Sequence, residues 1–320
     1  MTTRRLLAAT LGFPIFVFVL LLVALHFGVA PGGRPVSAIL SFALLLAPYW
    51  AFSFGVELHL RRLLATRASR LLAPLLLIAS WLVFVLPRHE FRWSMCAALI
   101  GFVLLVCAIL EPVRGRPGMT ANDWIALLAI GLAVELPFFR AAWPDPGFGA
   151  LSKLFVVNAA LYGYLISRNL DGIGFVSQIA LPDVRAGLRQ FLYFLPVALA
   201  FGFVSHFLHF HPTWSDPVSI AAAWIFTFVF VAVPEELFFR GILLNLMERR
   251  WGARPALIFS SLLFGLAHFN KRAQYFNWRY VLLAAVAGYF YGRAWLERRR
   301  IPASGITHAT VDTLWSIWLR

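Results

Sequence analysis

Trp224-Ile-Phe-Thr-Phe-Val-Phe-Val-Ala-Val-Pro-Glu-Glu-Leu-Phe-Phe-Arg-Gly241 is the stretch on which the reading of this chain turns. It sits inside an apolar block, Val218–Met247. A helix needs about 20 apolar residues to cross a hydrocarbon layer about 30 Å thick, so the block predicts a membrane helix. Yet Glu235, Glu236 and Arg240 stand in its middle, where each ionisable side chain costs several kcal/mol unless it is paired or used. Glu236 and Arg240 are i, i+4 with the acid first, the favourable order for a pair on one helix face. Glu235 points about 100° away. One acid is thus expected to be neutralised and the other free, beside a proline that removes a backbone donor and kinks the helix.

The rest of the chain agrees with a bilayer. Of 320 residues, 61% are apolar and 13% charged, with a mean hydropathy of +0.79. A soluble domain runs to about 45–50% apolar and about 25% charged. The apolar excess comes in blocks, which excludes a soluble enzyme, a disordered chain and a secreted disulfide scaffold. The predicted fold class is therefore all-α, a polytopic transmembrane helical bundle of about ten or eleven membrane helices. Its blocks are Leu6–Ala30, Val36–Val56, Leu71–Pro87, Met95–Leu110, Trp124–Phe139, Leu151–Ile166, Phe191–Phe210, Val218–Met247, Pro255–Phe269, Tyr280–Leu296 and Ile306–Leu319. The first is too long for a signal-peptide core and is read as an uncleaved helix. Asp171–Gln190 is more polar and reads as an interfacial helix or loop.

The net charge is 28 − 14 = +14, and every cation but Lys153 and Lys271 is arginine. The arginines cluster between the apolar blocks, as the positive-inside rule requires, and no nucleic-acid partner is expected. With the amino terminus inside, the inner loops hold Arg4, Arg5, Arg61, Arg62, Arg67, Arg70, Arg114, Arg116, Arg168, Arg185, Arg189, Arg249, Arg250, Arg254 and Arg298–Arg300. The outer loops hold Arg34, Arg88, Arg92, Arg140, Lys153, Lys271, Arg272 and Arg279, a smaller set. Cys96 and Cys107 lie eleven residues apart on one helix, about 16 Å, too far for a disulfide.

Other polar residues in the blocks carry weaker signals. His26, Glu57, His59 and Glu111 lie near predicted helix ends and can snorkel to the interface. Glu135, two residues before Pro137, suits a structural pairing. His206, His209 and His211 cluster, but His209 and His211 do not share a helix face and His211-Pro212 reads as a helix terminus.

Two further stretches complete the first. Phe264-Gly-Leu-Ala-His268 places a histidine in the next block, and His308-Ala-Thr-Val-Asp312 places a histidine and a carboxylate at i, i+4 in the last. Glu235 precedes Arg249 by 14 residues and His268 follows Arg254 by 14. On antiparallel helices both lie about 21 Å from the loop between them, at matched depth.

Glu-Glu-x-x-x-Arg, Phe-x-x-x-His and His-x-x-x-Asn/Asp, in that order on consecutive apolar helices, resemble the motif set of the CAAX-protease and bacteriocin-processing (CPBP, or Abi) intramembrane endopeptidases. The resemblance covers roughly residues 190–320. It divides the chain into accessory transmembrane helices of unknown role, 1–185, and a CPBP-like catalytic core, 186–320. It implies that Glu235 is a general base activating water with the help of His268. It implies that Glu236 and Arg240 brace the site together with Phe264, and that His308 with Asp312 stabilises the tetrahedral oxyanion. The residue chemistry agrees where an unpaired buried carboxylate makes a strong base and an imidazole N–H faces a forming oxyanion. Asp312 would either be protonated and donate, as asparagine does, or accept from His308 and fix its tautomer.

The expected activity is hydrolysis of a peptide bond in a membrane-associated protein or peptide, lipidated or with a hydrophobic tail, at a bacterial inner (plasma) membrane. No cofactor is expected. The alternative is a divalent metal such as zinc on Glu235, His268 and His308, although the family is described as glutamic and the first motif is not His-Glu-x-x-His. Two other classes remain to be told apart from the enzyme. One is a catalytically silent relative acting as a binding or assembly factor; the other is a transporter using Glu235 as a proton relay, which would carry repeats that this sequence lacks.

Overall fold

A computed structural model describes residues 3–28, 34–136, 138–144, 150–211, 215–273 and 275–319. The turn at Pro31–Gly33, Pro137, the segment 145–149, Pro212 and the side chains of Arg4 and Arg5 lie outside the described residues. Among those described, the chain is helical throughout and contains no strand. It forms two compact units, Met1–Asp171 and Gly172–Arg320.

The first unit contains α1 (Thr3–His26), α2 (Pro35–Ser53), α3 (Glu57–Leu63), α4 (Arg67–Leu72), α5 (Ile78–Val85), α6 (Trp93–Leu110), α7 (Ala121–Glu135) and α8 (Ala150–Tyr162). Its buried charges are paired. Thr120 caps α7 in a reciprocal box with Asp123. Asp123 is wholly buried and receives Arg168 Nε at 2.8 Å, with Arg168 only 1% exposed. Tyr164 donates to the Asp123 carbonyl at 3.0 Å. Glu111, expected to snorkel, is instead 8% exposed and ion-paired with Arg70. A guanidinium held by its own fold offers the carboxylate a partner nearer than the interface.

The second unit opens with an extended segment, and α9 (Leu181–Val204) begins ten residues after Asp171. Asp183 accepts from the Ala180 N–H at 2.9 Å and thereby starts α9. Residues 217–251 form one unbroken helical path, started by Pro217 and by Asp216, which accepts from the N–H groups of Val218 and Ser219 at 3.0 Å each. Within it, α10 (Pro217–Thr227), α11 (Val233–Glu236) and α12 (Asn245–Trp251) are joined by π-helical stretches at Phe228–Ala232 and Leu237–Leu244. Gly252, at φ +83°, turns the chain into α13 (Ala253–Leu266). Then come α14 (Trp278–Arg298), capped by the Asn277 side chain, and α15 (Ile301–Trp318). Gly265 sets the approach of α13 to α14, since a Cβ there would lie 2.7 Å from Ala285 Cβ.

Among the described residues, six helices are long and apolar enough to cross a membrane: Leu7–His26, Pro35–Ser53, Arg67–Arg88, Trp93–Val113, Leu181–Val204 and Pro217–Trp251. Leu151–Ser167 and Ala253–Leu266 are apolar but shorter. Every one of the eleven sequence blocks falls on a helix, yet only six meet the length and hydropathy of a lone span. The last two, α14 and α15, carry arginines, His308 and Asp312 in place of some of the aliphatic residues.

Candidate active site

The motif acids occupy the one ordinary helical turn between two wider ones. Pro234 has no N–H to give, and on either side the backbone runs in π-helical turns. Such bulges are rare and recur at functional sites because they re-aim side chains without ending the helix. Here they leave Glu236 wholly buried and the Glu235 side chain 35% exposed.

Glu236 is the centre of a paired network. Its Oε1 lies 3.1 Å from Arg240 Nη1 and 2.9 Å from His308 Nδ1. Arg240, 1% exposed, also donates from Nη2 to the Gly288 carbonyl at 2.9 Å. Its guanidinium stands over the rings of Phe264 at 4.5 Å and Tyr291 at 5.4 Å. A buried cation is tolerable only when a carboxylate, a carbonyl and aromatic faces replace its water, and all three are present.

His308 is 2% exposed and has both nitrogens facing carboxylates. Nδ1 faces the acid that is paired with Arg240 and donates to Glu236; with carboxylates beside both nitrogens, the ring carries a proton on each. Nε2 faces Asp312 Oδ2 at 3.4 Å and Glu235 Oε2 at 3.9 Å. Glu235 Oε2 has no hydrogen-bond partner. His268 sits two residues beyond the end of α13, its Nδ1 held 2.8 Å from the Phe264 carbonyl, which leaves Nε2 as the outward atom.

Two tyrosines on α14 orient the two histidines. Tyr291 stacks on His308 with ring centres 4.6 Å apart and planes 18° apart. Tyr280 stacks on His268 at 5.3 Å and 16°. Phe264 touches both imidazoles, at 4.8 Å and 5.7 Å. Beside them is a cavity of about 60 Å³, walled by His268, His308, Asp312, Tyr280, Tyr291 and apolar side chains of α9 and α15. That is room for a few waters, which need about 10–15 Å³ each, and polar partners are there to hold them.

The structure thus gathers Glu235, Glu236, Arg240, Phe264, His308 and Asp312 around one imidazole, with His268 on the wall of the same cavity. It adds Tyr280, Tyr291 and the Gly288 carbonyl, which the sequence reading missed. An aromatic in an apolar helix looks like core, and only the i, i+11 recurrence of tyrosine on α14, about three turns, marks one helix face.

Among the described residues no three His, Cys, Asp or Glu side chains converge as a metal-binding group. His268 spends Nδ1 on its own helix, and His308 shares its donors among three carboxylates. The histidines of the other cluster do not converge either: α9 ends at Val204, and the His211 N–H bonds to the Trp318 carbonyl.

Residues 217–314 match the family described as type II CAAX prenyl endopeptidase Rce1-like. The matched stretch contains all three motifs and is consistent with the CPBP family. No curated protein and no solved structure matches the chain.

Proposed function

We propose that the chain is an intramembrane endopeptidase that hydrolyses a peptide bond with a water activated by Glu235 and His268. The observation that carries the reading is Glu235 Oε2, which has no hydrogen-bond partner and lies 3.9 Å from Nε2 of His308, the imidazole that walls a water-sized cavity. The family matched at residues 217–314 is one of endopeptidases, which supports the same chemistry.

In this mechanism water enters the cavity and is held by Glu235 and the free Nε2 of His268. Its oxygen attacks the scissile carbonyl carbon as its proton passes to Glu235. The carbonyl oxygen becomes an oxyanion, which His308 meets with an N–H from Nε2. Collapse breaks the C–N bond, and the proton on Glu235 moves to the departing amine. A carboxylic acid and an amine result, with no proton gained or lost overall. Glu236 and Arg240 take no proton; they hold the Nδ1 side of His308 so that Nε2 faces the carbonyl. Asp312, on the same nitrogen, orients the ring until substrate displaces it.

We assign water activation to side chains alone, and the chelation test below decides between that and a metal. The remaining helices α7, α8, α13, α14 and α15 are embedded with the six long ones, giving an eleven-helix bundle in a bacterial inner membrane. Residues 1–185 are accessory and 186–320 catalytic.

The test is turnover of a membrane-protein substrate by purified protein. Glu235→Gln should abolish cleavage with an unchanged melting profile, because the amide keeps the packing and loses the base. Full turnover by that variant would falsify the assignment. Exhaustive treatment with a zinc-competent chelator should leave wild-type turnover unchanged; loss restored by stoichiometric zinc would make the same side chains ligands.

A further inference from the structure

The peptidase reading does not say from which side of the membrane a substrate enters, and the second unit bears on that; the inference here rests on that reading. The helices of this unit have one basic end. The start of α9 holds Arg185 and Arg189, the α12–α13 turn Arg249, Arg250 and Arg254, and the α14–α15 turn Arg298, Arg299 and Arg300. The opposite ends hold only Lys271, Arg272 and Arg279 among the described residues. Short loops rich in arginine stay in the cytosol, so the basic end faces it.

At that end the unit is sealed. Ala186, Ala294 and Ala303, one each from α9, α14 and α15, meet at 1% exposure or less. Gly187 has no room for a side chain, since a Cβ would stand 2.8 Å from the Ala303 carbonyl and 2.9 Å from Ile306 Cβ. The Thr307 hydroxyl donates to the Gly187 carbonyl at 3.0 Å. The wholly buried Asp183 then ties Arg298 at 3.2 Å and Arg300 at 3.0 Å across the ends of the same three helices. A peptide has no path through backbones packed this closely.

Away from the basic end, α9, α14 and α15 part around the cavity. Its wall on α15 runs from His308 through Asp312 to Trp315 and Leu319, and it includes Leu208 beyond the end of α9 and Tyr280 in the first turn of α14. By helix rise, His308 lies about 10 Å, Asp312 about 16 Å and Leu319 about 27 Å from the start of α15, so the cavity runs from the middle of the unit toward the end far from the arginines. The acid that lines it, Asp312, has a side chain 37% exposed, whereas the wholly buried Glu236 does not reach it.

We propose that the catalytic cleft opens toward the extracytoplasmic face, and that its substrates are segments of exported or membrane-inserted polypeptides that present an apolar stretch at that face. Tails carried by soluble cytosolic proteins, lipidated or not, meet the sealed end and are not substrates.

Two measurements on the full-length protein test this. In a background with Cys96→Ala and Cys107→Ala, the exposed alanines Ala273 and Ala253 are replaced singly by cysteine, one at each end of the unit. A membrane-impermeant maleimide added to intact cells should label Ala273→Cys fully and leave Ala253→Cys unlabelled until the membranes are broken; the reverse pattern overturns the proposal. In the second measurement an internally quenched apolar peptide library is added to right-side-out and everted vesicles, with Glu235→Gln vesicles as blank. Cleavage above the blank is expected in right-side-out vesicles and lost in everted ones. Cleavage confined to everted vesicles overturns the orientation and leaves the peptidase reading standing. Cleavage in neither, with Ala273→Cys labelled from outside, overturns the peptidase reading and the substrate class with it.

Discussion

Glu236 holds two charges at once, and the consequence of removing it follows from that. Truncation strands Arg240 and the Nδ1 side of His308, both almost fully buried. Breaking a buried pair from one side costs about 3–5 kcal/mol, so Glu236→Ala should lose activity and also melt well below wild type in detergent. An unchanged melting profile would show that the pair does not contribute. Tyr291 makes a different forecast, since it acts on His308 only through its ring face. Tyr291→Phe should keep turnover, whereas Tyr291→Ala should lower kcat with little change in KM. Equal losses from both variants would assign the effect to the hydroxyl. The Glu236–Arg240 pair and the His308–Asp312 proximity were legible in the sequence because both are i, i+4 spacings, which local geometry fixes. The Glu236–His308 bond was not, because 72 residues separate its ends and only the packing of α15 brings them together.

Among the elements, the 217–251 helix depends on its first turn. Asp216 accepts from two backbone N–H groups and from the Ser219 hydroxyl, and that hydroxyl, with the Ser219 N–H second, holds its carboxyl below the usual carboxylate range. A lowered folded pKa gives stability that is present above the unfolded value, about 3.9, and is lost as pH falls through the folded value. Melting temperature should therefore drop on acidification below that range. Asp216→Asn, which keeps a capping oxygen but does not titrate, should flatten the acid limb of the profile. Each of the eleven apolar blocks falls on a helix, because burial in lipid demands runs of apolar residues. The π-helical stretches left no such trace: they change the hydrogen-bond register and not the composition. The blocks led to an expectation of about ten or eleven spans, whereas six helices among the described residues meet the length and hydropathy of a lone span.

For the whole molecule, the two compact units each carry their own buried ion pairs, Arg168–Asp123 in the first and Arg240–Glu236 in the second. Every residue assigned to the reaction belongs to Gly172–Arg320. Asp123→Ala leaves Arg168 buried without its partner, and about 3–5 kcal/mol of stability should go with it. Turnover per folded molecule should stay at the wild-type value, measured with the folded fraction counted separately. A specific fall in kcat would give the first unit a part in catalysis. The sequence outlined the second unit through its three motifs, while the first offered only hydropathy and arginine placement, which report on a membrane and not on a task.

The two widened stretches on either side of Val233–Glu236 make catalysis a matter of residue count. Each is a place where the helix carries more residues per turn than its neighbours, and a gain or loss of one residue that the wide turn does not absorb moves what lies beyond by one position. Everything beyond would rotate by about 100° and shift by about 1.5 Å. Glu235 would swing off His308, and Glu236 would trade a sealed pocket for lipid. Such a chain tolerates many exchanges of letter in Phe228–Ala232 and Leu237–Leu244 and no change in their number. Over evolutionary time its insertions and deletions should collect in the loops and leave these two stretches at fixed length.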